Sequence, residues 1–294
     1  MGACRRHLEL QAQPMISLSQ RMRLVRDDPR NISLGETFDG SRGLEDVERK
    51  FDFFVAEGGG GDDAKLAAYK RVCNEIVRDD CLLRHITATL DGPEALFSFK
   101  KTWSVQLGAE SCLSFAFSCV NRSPSSFVFN VGNGKINSTF KPNYSTSGLL
   151  ETKSIGMPFR LSRNMTKMLG DLMVRGSFVP AIGSISDSIV ERKEVMEAML
   201  GLILRDDIVS WHISKSGGKT DAETKKLEDQ LEGRINSNVD SVMERFKQMS
   251  VIGRETGEEE GAENVVDSGI HKLVRRATDE IELSKCSKEL HAWF

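Results

Sequence analysis

The chain has 294 residues, of which 39% are hydrophobic and 28% charged, so it can bury a sizeable core in one large domain or two modest ones. Its 40 basic and 43 acidic side chains give a net charge of −3, which argues against a nucleic-acid footprint and a polybasic membrane patch. Six cysteines without a Cys-x-x-Cys pair argue against zinc and suit reduced thiols in a cytosolic or nuclear protein. No signal peptide and no membrane span is expected.

The first quarter of the chain alternates between short strand-like and longer helical patterns. Residues 8–13 and 22–25 have the apolar alternation of short strands, and 26–31 is rich in turn formers. Two helices are predicted next, at 44–56 and at about 63–79, because apolar residues recur there at helical spacing.

A long helix is predicted from Pro93 to about residue 119, and its second half is apolar almost all round, which places it at the centre of its domain. The aromatic and β-branched run at 127–131 is followed by Asn133-Gly134, the strongest short-range hairpin signal in the chain. A small β-hairpin is therefore expected over 127–140, after a loop at 121–126.

The carboxyl half is mostly helical in pattern. Helices are predicted, in order, at 163–169, 178–190, 195–212 and 221–249, followed by an acidic linker at 254–263. The helix at 195–212 carries one apolar stripe, formed by Met196, Met199, Ile203, Ile208 and Trp211. A last element at 265–283 carries another, formed by Val266, Ile270, Leu273, Ala277 and Ile281.

No aspartate or glutamate occurs between Ser111 and Leu150. With 43 acidic residues in the chain, about six are expected in a stretch of this length at average composition. This acid-free stretch contains the predicted loop and hairpin, and its interpretation depends on the motifs that flank it.

Five motifs are spread along the chain: 15–28 (opening Met-Ile-Ser-Leu-Ser), 97–101 (Phe-Ser-Phe-Lys-Lys), 157–165 (Met-Pro-Phe-Arg-Leu-Ser-Arg-Asn-Met), 204–211 (Leu-Arg-Asp-Asp-Ile-Val-Ser-Trp) and 265–294. In this order they resemble five segments of the phosphatidylinositol-3-kinase-related kinases. Those segments are the strands before the hinge, the W-x-F-R-K signature, the V-P-F-R-L-T-x-N-[MI] motif, the L-R-D-E-I-I-[SA]-W motif and the FATC tail. The motif at 204–211 and the altered catalytic segment are similar to the TRRAP-type pseudokinase branch of that family.

The resemblance implies a mainly helical α+β fold, a kinase-like C-lobe with a small β-hairpin followed by a helical FATC tail, with the N-lobe mostly absent. It divides the chain into remnant N-lobe strands and hinge (1–28), a C-lobe (29–215), a charged helix with an acidic linker (216–263) and an FATC-like tail (264–294).

The resemblance also places the catalytic loop. Active relatives read G-D-R-H-P-S-N there, and this chain reads V-N-R-S-P-S-S at 120–126. Asn121 takes the place of the base, Ser123 that of the histidine and Ser126 that of the metal-binding asparagine, while Arg122 is retained as loop architecture. The family's H-I-D-F-G falls at about 138–142, where no acid is present, and its phosphate loop and lysine would precede Met1. No catalytic residue, nucleotide or metal cofactor is therefore expected.

Two further segments are expected to be structural. The resemblance makes Met157, Pro158, Phe159, Arg160 and Leu161 an anchor that fixes the loop after the hairpin onto the core. The aromatic pair Trp293 and Phe294 is apolar enough to need a groove, either in this fold or on a partner.

The resemblance implies a non-catalytic scaffold module of a transcription co-activator histone acetyltransferase complex in the nucleus. Its partners would be subunits of such complexes and transcription activators, with no direct contact to nucleic acid or membrane. The alternative is a divergent, active serine/threonine kinase fragment of the same family, with carboxylates supplied from elsewhere, such as Asp206 or Glu151. A third reading is a helical interaction protein unrelated to kinases.

Overall fold

The computed structural model describes residues 15–19, 22–26, 28–38, 43–138, 140–145, 148–151, 156–215, 221–250, 269–286 and 290–294. Side chains are described for the same residues except 15, 23 and 206–230. The described ranges form a mainly helical fold with three two-stranded antiparallel sheets, which confirms the predicted fold class. The strand predicted at 8–13 lies outside the described residues.

Helices supply most of the structure. They are α1 (Leu44–Glu57), α2 (Asp62–Glu75), α3 (Cys81–Thr89), α4 (Pro93–Ala116), α5 (Arg163–Met173), α6 (Val179–Glu191), α7 (Lys193–Lys215), α8 (Asp221–Met249), α9 (Gly269–Thr278) and α10 (Glu280–Lys285). The strands are β1 (Met15–Ser17), β2 (Arg23–Val25), β3 (Asn31–Ser33), β4 (Cys119–Val120), β5 (Val128–Asn130) and β6 (Lys141–Pro142). A 3₁₀ turn covers Leu34–Thr37 and a π-helical turn Val174–Phe178.

Helix α4 is the centre of the fold, as its apolar pattern predicted. It begins with Pro93 at the first helical position, where the missing N–H needs no partner. It packs against α5, α6 and α8, and it is buried on several sides at once. Gly108 allows the closest approach, because a Cβ at that position would lie 2.7 Å from the main-chain oxygen of Phe178.

The sheet pairing differs from the predicted local hairpin. Strand β5 forms its ladder with β3, with Ile32 opposite Phe129, so its partner lies about a hundred residues earlier in the chain. The predicted hairpin is also present, as an Asn-Gly turn closed by one antiparallel bridge between Phe129 and Ile136. Asn130 N donates to Lys135 O and Asn137 N to Val128 O, both at 2.8 Å. The sequence analysis read residues 26–31 as a turn-rich exit and missed β3, because Asn31–Ser33 carries only one strongly apolar side chain.

The turn that follows β5 is held tightly. Gly134 N donates to Asn130 O at 2.9 Å, and Lys135 N donates to the side chain of Asn133 at 2.9 Å. Gly134 has a φ of +73°, and a Cβ there would lie 2.8 Å from the main-chain oxygen of Phe99 and 3.2 Å from Trp103 N. The turn therefore needs glycine both for its backbone angle and for its contact with α4.

The variant Gly134→Ala is expected to lower the free energy of unfolding by about 2 kcal/mol, since it adds a steric contact to backbone strain. Gly59→Ala is the matched control, because Gly59 has a φ of +90° but open space around it, and we expect about 1 kcal/mol. Urea denaturation of both variants measures the difference. Equal costs for the two would show that the contact with α4 is unimportant.

Two helix predictions need correction. The helix predicted at 63–79 ends at Glu75, and a separate helix, α3, follows a turn at Asp79 and Asp80. The single element predicted at 265–283 is two helices separated by Asp279, whose carboxylate accepts a hydrogen bond from Ile281 N as the cap of α10. The break turns Ile281, predicted on the apolar stripe, to 49% exposure.

The buried face of α7 also differs from the predicted stripe. Met199 and Ile203 are more than half exposed, while Leu200 and Leu204 are buried. Helix α7 packs mainly against α8, and the position of that neighbour selects the face that is covered. Helical periodicity alone could not decide between two apolar stripes on one helix.

Within the described ranges, no helix is both long enough and apolar enough to cross a membrane. The domain limits at residues 28, 215 and 263 remain predictions.

Candidate functional site

The acid-free stretch starts at the carboxyl end of α4 with a sharp reversal. Ser118 has a φ of +48° and Asn121 a φ of +62°, and the two residues flank the short strand β4. Strand β4 pairs with β6, which joins the two sides of the stretch. The loop that resembles a kinase catalytic loop, 121–126, projects between them.

Asn121 is the residue that the resemblance matches to the catalytic base. Its side chain is exposed, and its left-handed backbone suits asparagine better than most residues. A carboxamide can accept a hydrogen bond from a substrate hydroxyl, but it cannot take the proton. Asn121 therefore suits the backbone conformation of the loop but cannot act as a general base.

Hydroxyl groups occupy the rest of the loop. Ser123 Oγ lies 2.9 Å from Ser125 Oγ and 3.0 Å from Ser126 Oγ. Ser126 is the residue that the resemblance matches to the metal-binding asparagine. This cluster is neutral, whereas magnesium in kinases needs a carboxylate near by.

Arg122 connects the loop to the anchor motif. Its guanidinium is buried, and it donates from Nε to Cys119 O at 2.7 Å and from Nη1 to Met157 O at 2.9 Å. Burial lowers the pKa of Arg122 to about 10, so the group remains cationic at neutral pH. Arg122 thus fixes strand β4, just before the loop, to the anchor motif through main-chain oxygens.

Arg160, from the anchor motif, extends the same network to the end of the chain. It donates from Nη1 to Arg122 O at 2.8 Å and to Leu290 O, and from Nη2 to Phe294 O at 2.8 Å. Burial lowers the pKa of Arg160 to about 9, which still leaves it charged. Among the described residues, neither Arg122 nor Arg160 pairs with an acidic side chain. Main-chain oxygens hold the two adjacent buried cations, and the one at Phe294 belongs to the carboxyl group of the last residue, so it also brings a negative charge to Arg160. We call this arrangement the arginine clamp.

The aromatic end of the chain fills a groove in its own fold. Trp293 and Phe294 are fully buried, with the Trp293 ring 5.0 Å from Phe51 and the Phe294 ring 5.4 Å from Phe38. The sequence left open whether the groove for these two residues lies in this fold or on a partner, and the structure places them in a groove of this fold.

His291 completes the contact between the end of the chain and α1. Its Nε2 lies 3.5 Å from a carboxylate oxygen of Glu48, and its ring stacks on Trp293. Burial lowers the pKa of His291, Glu48 raises it and Arg160 lowers it further. The net lowering favours the neutral form at pH 7.

Helix α8 holds the acid-free stretch from the opposite side. Asn238 accepts a hydrogen bond from Leu150 N at 2.8 Å and donates to Gly148 O at 3.0 Å. Arg245 donates to Ala116 O at 2.9 Å. It also donates to the main-chain oxygen of Glu151 at 3.4 Å. Side chains of α8 therefore hold the main chain at both ends of the acid-free stretch.

One acid next to the stretch was missed by the sequence analysis. Glu110 lies on α4, one position before the stretch begins, and its carboxyl group packs beside the Ser138 hydroxyl. Burial raises the pKa of Glu110 to about 7, and Ser138 offsets part of that rise. A lone acid in the apolar half of α4 was the signal that could have identified it.

The structure therefore groups the predicted site residues in two sets. Ser123 and Ser126 contact each other, while Arg122 and Arg160 meet at the clamp. Pro158, Phe159 and Leu161 are buried around that clamp, and Phe159 packs its ring edge-on to Phe178.

The acids named for the alternative of an active kinase are Glu151 and Asp206. Glu151 is half-buried next to α8, and the side chain of Asp206 lies outside the described ones. Within the described ranges, His, Cys, Asp and Glu side chains form no group of three or more that could hold a metal ion.

Comparison with known proteins places this geometry in context. No family model matches the chain. The transformation/transcription domain-associated proteins of Danio rerio and Homo sapiens are each 22% identical to it over 98% of its length. The SAGA complex/NuA4 acetyltransferase complex subunit Tra1 of Schizosaccharomyces pombe is 26% identical over 53% of the chain. The chain spans 8% of the length of the first two proteins and 4% of the third.

A solved structure of the FAT and kinase domain of CtTel1 has the same fold. It superposes with a TM-score of 0.66 over 98% of this chain and 19% of that one, at 14% identity. The chain is therefore a homologue of the TRRAP/Tra1 proteins, with the fold of the phosphatidylinositol-3-kinase-related kinases.

Proposed function

We propose that the chain is a non-catalytic, kinase-like scaffold module of a transcription co-activator histone acetyltransferase complex. The observation that carries the proposal is the composition of the catalytic segment, which has Asn121, Ser123 and Ser126 at the positions for base, histidine and metal ligand, and no acid from Ser111 to Leu150. Kinase chemistry needs one carboxylate to orient the nucleophile and another to hold magnesium.

The contacts of the segment support a structural role. Arg122 of the segment, together with Arg160 and Arg245 that contact it, donates to main-chain oxygens, so these three arginines are used to hold the backbone. Glu110, the acid that approaches the segment, has a pKa raised by burial, which disfavours the anion that magnesium requires. We infer that the segment keeps the backbone arrangement of a kinase catalytic segment although it contains no carboxylate.

The partners follow from the relatives. Proteins similar to this chain are named as subunits of SAGA and NuA4 acetyltransferase complexes. We infer that this chain joins a nuclear complex of that class, with transcription activators as further partners, and that it contacts neither nucleic acid nor membrane directly.

Affinity purification of the tagged protein from its own cells tests the scaffold role. Acetyltransferase-complex subunits should be recovered with the tagged chain and identified by mass spectrometry. The same chain carrying Arg160→Ala, which should release the tail from the core, is the matched control and should recover fewer of them. Recovery of no acetyltransferase subunit by the unaltered chain would refute the assignment.

A further inference from the structure

The junction between α9 and α10 carries a sequence that the scaffold function does not explain. Residues 275–278 read Arg-Arg-Ala-Thr, and of the two Arg-Arg pairs in the sequence only this one has a hydroxyl residue two positions later. Arginines two and three positions before a serine or threonine are the feature that Arg-directed protein kinases bind with acidic side chains. Guanidinium groups make strong, charge-assisted hydrogen bonds to such carboxylates.

The structure exposes the two arginines of this segment, although Arg276 Nη2 donates to Gly156 O at 2.9 Å and Ala277 is buried. Arg275 and Arg276 are exposed, and Thr278 is partly exposed. Thr278 is the last residue of α9, and Asp279 after it is already extended, with φ −69° and ψ 121°. The Thr278 hydroxyl bonds only to oxygens of its own helix, Val274 O at 3.0 Å and Arg275 O at 3.2 Å. Fraying of one terminal turn would present the acceptor in extended form.

A cavity of about 560 Å³ faces the same residue. Its lining includes Thr278, the cations Arg163 and Lys167 of α5, and the acids Asp79 and Asp171. Arg163 also donates to Cys73 O at 3.0 Å. Lys167 pairs with Asp79 at 3.5 Å, and both side chains are about half exposed, so the pair is weak enough for a stronger anion to replace. The cavity thus joins a hydroxyl acceptor to two cations on a neighbouring helix.

We propose that Thr278 is a phosphorylation site for an Arg-directed protein kinase, and that Arg163 and Lys167 bind the resulting phosphate. Thr278 Oγ1 would form a bond to the γ-phosphorus of a nucleoside triphosphate as the bond to the β–γ bridging oxygen breaks. The hydroxyl proton passes to the base of the modifying kinase, and the nucleoside diphosphate leaves. The phosphate dianion then links α9 to α5 through charge-assisted hydrogen bonds.

The test uses the purified full chain with the cyclic-AMP-dependent protein kinase and magnesium ATP, followed by tandem mass spectrometry. We expect phosphate on Thr278 in the unaltered chain and none there in Thr278→Val. The double variant Arg275→Gln/Arg276→Gln should be modified at least about tenfold more slowly, because two charge-assisted contacts to the kinase are lost. No phosphate on Thr278, under conditions in which a peptide of residues 269–284 is modified, would overturn the site.

The second half of the proposal has its own readout. The phosphorylated chain should melt at a higher temperature than the unmodified one, and Lys167→Gln should abolish that gain without slowing phosphorylation. A fall in melting temperature on phosphorylation, or a gain that persists in Lys167→Gln, would overturn the role of the cavity as the phosphate receptor.

Discussion

Replacing Arg160 with alanine is expected to lower the free energy of unfolding by about 4 kcal/mol. The change leaves the buried main-chain oxygens of Arg122, Leu290 and Phe294 without their donor. Each unpaired buried oxygen costs about 1–3 kcal/mol, and part of this is offset because a desolvated cation is also removed. Urea denaturation followed by circular dichroism measures the loss.

Two variants make the interpretation specific. Arg160→Lys keeps the charge but cannot reach three oxygens with a planar fork, so an intermediate loss of about 2 kcal/mol is expected. Arg49→Ala removes an arginine whose side chain is 76% exposed on α1, and it should cost less than about 0.5 kcal/mol. A loss below about 1 kcal/mol for Arg160→Ala would contradict the arginine clamp.

Replacing Glu110 with glutamine is expected to stabilise the protein at pH 8 by about 3 kcal/mol. Burial raises the pKa of Glu110 from 4.5 to about 7, so the folded chain holds this proton more tightly than the unfolded chain. The carboxyl group therefore carries no penalty below pH 4.5, and a penalty that grows as the pH rises from 4.5 to 7 and is complete above 7. Glutamine removes the ionisation and hence the penalty.

Unfolding free energies of both proteins at a series of pH values from 4.5 to 8 provide the test. The difference between them should shrink toward zero at the acid end. Glu244→Gln is the control, because Glu244 is an exposed residue of α8, and its replacement should change stability by less than about 0.5 kcal/mol at any of these pH values. A pH-independent gain for Glu110→Gln would show that ionisation of this group is not its cause.

Sequence periodicity located the elements whose burial comes from their own pattern. Helix α4 was expected from Pro93 and is apolar almost all round, so no neighbour had to be known to place it at the centre. Helix α8 was predicted at 221–249, as observed, because the sequence before and after it is rich in glycine and polar residues.

Pairings between distant segments were not accessible in this way. The ladder of β3 with β5 depends on a partner about a hundred residues away, and β3 itself has too few apolar residues to be recognised. The exposed side of α7 was misassigned because α8 decides which of two apolar stripes is covered. Local patterns predict that an element exists better than they predict what covers it.

In the catalytic segment, too, local sequence and long-range contacts differ in how far they can be predicted. The resemblance predicts that Asn121, Ser123 and Ser126 occupy altered catalytic positions, and that assignment stays a prediction. The arginine clamp could not be predicted from the sequence, because Arg160 donates to oxygens 38, 130 and 134 positions away. Every residue has a main-chain oxygen, so the sequence does not show which ones accept these hydrogen bonds.

The clamp accounts for what this kinase-like segment does. Arg122 fixes the loop to the anchor motif, Arg160 fixes the loop to the end of the chain, and Arg245 fixes the far side to α8. A loop that positions a reacting phosphate in other kinase folds here holds the core and the tail together. The proposed scaffold role needs no acidic side chain in this segment, because buried arginines hold its backbone.

Titration of the purified chain with magnesium ATP, read by melting temperature and by transfer of labelled phosphate to a serine/threonine substrate, tests the central claim most directly. We expect no saturable rise in melting temperature and no transfer, and we expect the same for Asn121→Asp/Ser126→Asn, because the metal-binding acid is still missing. Saturable stabilisation by magnesium ATP together with phosphate transfer that Glu110→Gln or Glu151→Gln abolishes would contradict the account and establish an active kinase.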